Sequence, residues 1–288
     1  MVNPFSGVTM DKRVLTIQDI SCVGQCSLTV ALPIISACGI ETAVLPSSVL
    51  STHTAGFSGY TFRDLTQDME PILAHWNKEA IKFDAFYTGY VSKAQIPLIL
   101  KIMEETAHPG ALRIVDPVMA DNGRLYTGFD ADFPAEMAKL CRQADLIVPN
   151  FTEAALLLGE EYVEGPYTRE YAEGLIRRLA DRFPGSIVLT GVQFDEENLG
   201  AAVFDRASEA VTFVFAPRVP GRFHGTGDIF AAALLSALLA GKTLPEAAQI
   251  AANFTARSIA LSDHNRESKY GVRFEAALPS LMEALSLL

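Results

Sequence analysis

Cysteine is scarce in this chain of 288 residues. The four that occur are Cys22, Cys26, Cys38 and Cys141. No two of them form a Cys-x-x-Cys pair and no group of histidines accompanies them, which excludes the common zinc-ligand and redox patterns. We expect these thiols to be reduced and mostly packed in the core. Free thiols are typical of a reducing compartment, so the sequence predicts a cytoplasmic protein.

Basic residues are also few, with 23 lysines and arginines against 34 aspartates and glutamates. The formal net charge of −11 disfavours nonspecific binding to nucleic acids and to anionic membranes. We therefore expect no nucleic-acid partner. A nucleotide is not excluded, because helix N-termini and a metal ion can hold its phosphates.

Long apolar runs are absent as well. The longest, residues 229–240, is shorter than the roughly 20 residues that a membrane-spanning helix needs. The first ten residues lack the basic start and apolar centre of a signal peptide. The sequence therefore predicts no membrane partner.

Short apolar runs alternate with longer amphipathic ones, and 49% of the residues are hydrophobic. This alternation predicts an α/β fold, with a mainly parallel central sheet covered by helices on both faces. We interpret residues 1–288 as a single domain, with residues 1–9 as a candidate disordered N-terminal extension. The predicted strands are residues 13–18, 42–45, 83–87, 112–115, 146–148 and 187–189, with an antiparallel pair at 201–204 and 210–215. The predicted helices are residues 27–37, 62–76, 94–105, 132–141, 153–158, 169–183, 228–239, 245–261 and 274–287, and residues 47–60 are predicted to form a loop or flap.

The strongest functional motif is Gly-Thr-Gly-Asp at residues 225–228, directly before the apolar run. Two glycines let successive backbone N–H groups point outward at the positive end of a helix, which favours anion binding. The carboxylate of Asp228 can accept a proton from a hydroxyl group placed against a bound phosphate. The structural alternative is a glycine-rich helix cap.

Three further polar segments follow predicted strands. Asp116 and Asp121 stand in the first segment, where two carboxylates can hold Mg²⁺ through water, although Asp-Pro and Asn-Gly also form ordinary turns. Asn150 and Glu153 stand in the second, which also fits a helix capping box. Thr190 and Gly191 form the third, where a hydroxyl and a small residue can approach phosphates.

The N-terminal third contributes a fourth group. Asp19 follows the first predicted strand, and residues 51–56 carry the polar and flexible composition of a water-excluding flap. His53 lies in this flap. A histidine in such a place is more often exposed, or hydrogen-bonded within the protein, than catalytic. Because ligands bind beyond the carboxyl ends of parallel strands, these four groups and the Gly-Thr-Gly-Asp motif are expected at one edge of the sheet. Together they supply what phosphoryl transfer needs.

These motifs resemble the pyridoxal/pyridoxamine kinase branch of the ribokinase-like superfamily, over nearly the whole chain. The resemblance is carried by residues 14–19, 26–33, 51–56, 87–90, 116–121, 149–150, 153 and 225–228. It implies an ATP-dependent kinase that phosphorylates the 5′-hydroxymethyl group of a B6 vitamer in vitamin B6 salvage. It also implies use of Mg²⁺, help from a monovalent cation such as K⁺, and a homodimer.

The resemblance assigns a role to each candidate residue. Asp228 is expected to be the catalytic base, beside an anion hole formed by the N–H groups of Gly225, Thr226 and Gly227. Asp116 and Glu153 are expected near Mg²⁺ and the phosphates. The remaining assignments place Asn150, Glu153, Thr190 and Gly191 on the nucleotide side, and Asp19, His53 and Tyr90 in the acceptor pocket.

Some positions depart from the better-known pyridoxal kinases. Asp19 stands where those enzymes carry serine, and an acidic residue there favours a vitamer with an amine, such as pyridoxamine. The nearest alternative is hydroxymethylpyrimidine kinase of thiamine metabolism, whose corresponding motif ends in cysteine where this chain has Asp228. A binding protein without activity is a second alternative, although it would not need Asp228. A dinucleotide-binding dehydrogenase is disfavoured because no Gly-x-Gly-x-x-Gly opens the first helix.

Overall fold

A mainly parallel sheet of nine strands organises the chain in a computed structural model, which describes residues 12–221, 223–262 and 268–288. Its strands are β1 (Arg13–Ser21), β2 (Glu41–Leu50), β3 (Phe62–Asp64), β4 (Phe83–Thr88), β5 (Ala107–Val115), β8 (Leu146–Ile147), β9 (Ser186–Val192), β10 (Asn198–Asp205) and β11 (Ala210–Pro217), while β6 (Ala120–Asp121) and β7 (Arg124–Leu125) form a separate hairpin. The strand order is β11-β10-β9-β8-β5-β4-β1-β2-β3. The six strands in the middle of this order are parallel to one another: β9, β8, β5, β4, β1 and β2. At the two edges, β3 pairs antiparallel with β2, β10 with β9, and β11 with β10.

Helices cover both faces of the sheet, as predicted. They are α1 (Leu28–Ala37), α2 (Thr66–Lys78), α3 (Ile96–Thr106), α4 (Phe133–Cys141), α5 (Phe151–Leu158), α6 (Arg169–Arg182), α7 (Thr226–Leu239), α8 (Leu244–Leu261) and α9 (Leu278–Ala284). The sheet has a hydrophobic core on each face. Successive residues of a strand pack into different cores, because their side chains point to opposite faces. Val14 packs with α1, α7 and α8, whereas Leu15 packs with α2 to α6. The described residues therefore form one α/β domain, which confirms the predicted fold class.

Helix α7 is buried along most of its length, from Asp228 to Ala237. A helix that is apolar on all sides is stable only inside a core. Its N-terminus therefore has a position fixed by packing, and that N-terminus carries the Gly-Thr-Gly-Asp motif.

Three predicted elements differ from the structure. Residues 47–60 were expected to be a loop, but β2 continues to Leu50, because its last residues pair with both β1 and β3. The buried hydroxyl of Ser47 donates a hydrogen bond to the carbonyl of Tyr90 at 2.8 Å. Residues 62–76 were expected to be one helix, but their first three residues form β3, which pairs with β2. The predicted final helix at 274–287 is also shorter, since α9 begins only at Leu278.

All four cysteines are free, as expected. Cys38 and Cys141 are buried, Cys26 is partly buried, and Cys22 is exposed, which departs from the expected packing. No helix in the described ranges is long and apolar enough to cross a membrane. The candidate extension at residues 1–9 lies outside the described residues.

Gly200 allows β10 to lie between its two neighbours. A Cβ atom at this position would overlap the carbonyl oxygen of Val214 on β11. We expect Gly200→Ala to lower the free energy of unfolding by about 1–3 kcal/mol, because the strand backbone must shift. Urea unfolding of the purified variant measures this loss.

The matched control is Gly174→Ala in helix α6. A Cβ there would meet only the flexible end of Arg178, at 3.4 Å, and alanine favours the helix. We expect this variant to equal or exceed the original protein in stability. The packing account of Gly200 is contradicted if both variants unfold at the same urea concentration.

Candidate active site

A cavity of about 310 Å³ lies at the carboxyl ends of the parallel strands. Residues that come from the ends of β1, β4, β5, β8 and β9 line it, together with the N-terminus of α7. The predicted site residues in its lining are Asp19, His53, Tyr90, Asp116, Asn150, Glu153, Thr190, Gly225, Thr226, Gly227 and Asp228. Gly191 is not in the lining and is exposed directly after Thr190. The structure thus brings together residues that lie more than 200 positions apart.

Gly225 positions the start of α7. Its backbone is left-handed, with φ of +79°, and it serves as the N-cap of the helix. A Cβ at Gly225 would also overlap the carbonyl oxygen of Gln25, so only glycine fits. The first N–H groups of a helix have no partner within it, and Gly225, Thr226 and Gly227 line the cavity, so the anion-binding role of this turn stays a prediction.

Asp228 lies in the first turn of α7 and is 9% exposed. Its Oδ2 accepts hydrogen bonds from the backbone N–H of Ser27 at 2.9 Å and from the thiol of Cys26 at 3.5 Å. Burial and the nearby charge of Asp19 together raise the pKa of Asp228 to about 6, against the opposing effect of the two hydrogen bonds. A carboxylate with such a pKa suits a general base that works near neutral pH.

Asp116 and Glu153 are two further buried carboxyl groups of the cavity. Burial raises the pKa of Asp116 well above its usual range, and the charges of Glu153 and Asp228 add to the shift. Burial also raises the pKa of Glu153, against hydrogen bonds from backbone N–H groups. Carboxyl groups crowded in this way favour binding of a cation, which would relieve their repulsion.

Glu153 also has a structural role. Asn150 and Glu153 form a capping box at the start of α5, which confirms the structural interpretation of this motif. The carboxylate of Glu153 accepts backbone N–H bonds from Asn150 at 2.9 Å and from Met119 at 3.1 Å. The side-chain amide of Asn150 donates to the carbonyl of Ala120 at 2.8 Å. These bonds hold the 116–121 segment against α5, and the metal role of Glu153 stays a prediction.

Asp19 lies at an irregularity in β1, where the pairing with β2 shifts between Gln18 and Ile20. Its carboxylate accepts a hydrogen bond from the hydroxyl of Ser21 at 3.1 Å. Burial raises the pKa of Asp19 despite hydrogen bonds from Ser27 and Ser21. Tyr90 also lines the cavity, and its pKa is raised to about 12 by burial and then by the charge of Asp19.

Both ring nitrogens of His53 have hydrogen-bond partners within the protein. Its Nδ1 accepts the backbone N–H of Ala55 at 3.2 Å, so Nε2 carries the proton and donates to the carbonyl of Lys269 at 2.6 Å. Burial lowers the pKa of His53, which keeps the ring neutral at neutral pH. The ring thus forms part of the cavity wall, while both nitrogens hold the flap in place.

Sequence reasoning missed several lining residues, among them Leu50, Tyr126, Phe223 and His224. His224 had a detectable signal, because it directly precedes the Gly-Thr-Gly-Asp motif. Tyr126 had none, since it follows a two-stranded hairpin that sequence periodicity did not indicate.

Ionisation of Asp228 should oppose folding of the unliganded protein at alkaline pH. Its folded-state pKa of about 6 lies above the ordinary value of 3.8, so its contribution to stability is present below about pH 4 and lost as pH rises through about 6. We expect Asp228→Asn to raise the free energy of unfolding by about 1–3 kcal/mol relative to the original protein at pH 8, and by less at pH 5. Urea unfolding at both pH values measures the difference. An equal difference at pH 5 and pH 8 would show that the carboxyl group titrates normally.

Similarity to known proteins extends over nearly the whole chain. Residues 42–272 match the family described as phosphomethylpyrimidine kinase. A Bacteroides thetaiotaomicron protein assigned as a phosphomethylpyrimidine kinase, in a crystal form with pyridoxal, is 36% identical; the match covers 94% of this chain and 95% of that chain, with a TM-score of 0.88. Pyridoxal kinase from Lactobacillus plantarum is 35% identical, with 94% and 97% covered and a TM-score of 0.86. The pyridoxine/pyridoxal/pyridoxamine kinase of Bordetella avium is 28% identical over 86% of this chain and 84% of its own length.

The predicted relationship is thus confirmed: the chain belongs to the phosphomethylpyrimidine kinase family, in which proteins similar to it are named pyridoxal kinases.

Proposed function

We propose that this chain is a kinase that transfers the γ-phosphoryl group of ATP to the 5′-hydroxymethyl group of a B6 vitamer, namely pyridoxamine, pyridoxal or pyridoxine. One observation carries the proposal: the buried carboxylate of Asp228 lies within an anion-binding turn at the end of a parallel sheet. The names of the similar proteins support a B6 vitamer as the acceptor.

The geometry accounts for a direct transfer. The N–H groups of Gly225, Thr226 and Gly227 hold oxygens of the phosphoryl group, and Asp228 accepts the proton of the acceptor hydroxyl. The acceptor oxygen forms a bond to phosphorus as the bond from phosphorus to the bridging oxygen breaks, so that ADP leaves. Asp228 then releases its proton to solvent. Phosphoryl transfer requires positioning and electrostatic stabilisation rather than covalent catalysis, and the turn supplies both.

Mg²⁺ fits the donor set of the cavity. Carboxylate oxygens are hard ligands, and Mg²⁺ is commonly bound by one or two of them together with substrate phosphates. Asp116 and Glu153 would hold it, and bound Mg²⁺ would neutralise phosphate charge.

Other features of the proposal rest on the sequence resemblance. The carboxylate-rich lining also suits a monovalent cation such as K⁺. Asn150, Thr190 and Gly191 are proposed to contact the nucleotide, and Asp19, His53 and Tyr90 the vitamer. We also propose that the protein is a homodimer and that it acts in vitamin B6 salvage in the cytoplasm.

A coupled ADP-release assay with ATP and Mg²⁺ tests the function. We expect turnover with at least one of pyridoxal, pyridoxamine and pyridoxine. Asp228→Ala should abolish this turnover while leaving nucleotide binding nearly intact, because the side chain acts on the proton of the acceptor. Asp181→Ala, an exposed carboxylate on α6, is the matched control and should retain activity.

Hydroxymethylpyrimidine is tested in the same assay. Turnover with this compound alone would keep the fold and the role of Asp228 but would move the protein to thiamine metabolism. Absence of turnover with all four acceptors would contradict the proposed function. Full activity of Asp228→Ala would remove its role as base.

Asp19 is proposed to set the choice of vitamer. An ionised carboxylate in the acceptor pocket favours an amine, because the positive charge compensates its burial. We expect Asp19→Ser to shift the ratio of kcat/KM values from pyridoxamine towards pyridoxal by about 10-fold, which corresponds to one charge-assisted interaction. Asp19→Asn retains the size without the charge and should show the same shift. Unchanged ratios in both variants would show that Asp19 does not select the vitamer.

A further inference from the structure

The cavity contains a surplus of negative charge. Five carboxyl groups line it, those of Asp19, Asp116, Asp121, Glu153 and Asp228. Among the described residues of the lining, none is lysine or arginine. A nucleotide triphosphate adds further negative charge to this site. In the described part of the lining, the side chains that can donate hydrogen bonds to phosphate oxygens are therefore hydroxyl groups, the thiol of Cys26, the amide of Asn150 and the two imidazoles.

Two histidines line the same cavity, and they differ in their contacts. Both ring nitrogens of His53 are engaged by the backbone, at Ala55 and Lys269. His53 therefore has no N–H left for a ligand. His224 lies beside it, with 5.5 Å between the ring centroids and 49° between the ring planes.

His224 is half-buried and directly precedes the anion-binding turn. Asp121 is the carboxylate that acts electrostatically on it, and burial lowers its pKa. No protein atom in the described ranges forms a hydrogen bond with either of its ring nitrogens. A neutral imidazole still carries one N–H donor, so the ring can donate without being charged. This donor lies one residue from Gly225, whose N–H begins the turn.

We propose that His224 donates a hydrogen bond to a non-bridging oxygen of the phosphoryl group that is transferred. The inference rests on the proposed function, since it assumes that a nucleotide phosphate enters the turn at residues 225–227. Backbone N–H groups then contact the phosphoryl group from the α7 side, and the imidazole contacts it from the flap side. His224 thereby supplies a side-chain donor in a lining that is rich in carboxylates.

Two substitutions separate this role from simple packing. His224→Phe keeps a flat ring against His53 but removes the N–H donor. His224→Gln keeps an N–H donor but removes the ring. If the hydrogen bond matters, the glutamine variant should retain most of the activity and the phenylalanine variant should lose it. If the ring only packs, the order should be reversed.

Nucleotide binding gives a direct readout. We expect His224→Phe to weaken binding of AMP-PCP about 10- to 100-fold, as loss of one hydrogen bond to a charged group predicts. Binding of ADP, which lacks the γ-phosphoryl group, should change less than threefold. Isothermal titration of the original protein and both variants with each nucleotide, in Mg²⁺, measures the two effects. Melting temperatures of the variants control for loss of folding.

The outcomes distinguish this inference from the proposed function. Equal weakening of AMP-PCP and ADP binding, or no weakening of either, would overturn the role of His224. So would an active His224→Phe beside an inactive but folded His224→Gln. Failure of the original protein to bind any nucleotide would instead contradict the proposed function itself.

Discussion

The hydrogen bond from the backbone N–H of Ser27 to the carboxylate of Asp228 joins the two ends of the fold at the candidate active site. The two residues are 201 positions apart, and the bond forms because α7 packs against α1 and the loop before it. Gly225 makes this approach possible, since any side chain there would collide with the backbone of Gln25. The N-terminus of α7, the proposed base Asp228 and the start of α1 thus lie together at the candidate active site.

The electrostatic consequence is a site that is unfavourable for the unliganded protein. Desolvation raises the pKa values of Asp19, Asp116, Glu153 and Asp228, and the charges of neighbouring carboxyl groups add to most of these shifts. Perturbed carboxyl groups that cluster in a cavity are typical of functional sites. Cations and hydrogen-bond donors that accompany a nucleotide would relieve this repulsion. The same arrangement gives Asp228 a pKa suited to proton transfer near neutral pH.

Much of the site was predictable from sequence because several of its motifs directly follow strands. The carboxyl ends of parallel strands meet at one edge, so Asp116, Asn150 and Thr190 were expected together, and they line one cavity. What each side chain does there was less accessible. The capping of α5 by Glu153 followed from the local Asn150–Glu153 spacing, but the bond from its carboxylate to the backbone of Met119 depends on tertiary structure.

Other features depended on pairing between distant segments. Phe62 and its two successors resemble the start of the following helix, but they pair with β2 at the edge of the sheet. Ser47 has the polarity of a loop residue, and in the folded chain its buried hydroxyl is satisfied by the carbonyl of Tyr90. The tautomer of His53 follows from Lys269 and Ala55, which approach it only in the folded chain. Short polar strands and the hydrogen-bond partners of a histidine depend on distant segments, so the local sequence does not predict them.

The central claim is that Asp228 acts as the base for phosphoryl transfer with a pKa raised by burial. The pH dependence of kcat/KM for the acceptor, measured at saturating ATP and Mg²⁺ and corrected for the acceptor's own ionisation from its absorbance spectrum, tests it most directly. The account predicts a plateau above about pH 6 and a tenfold decrease for each pH unit below it, because protonated Asp228 cannot accept the hydroxyl proton. A profile that stays flat to pH 4.5 would contradict the account.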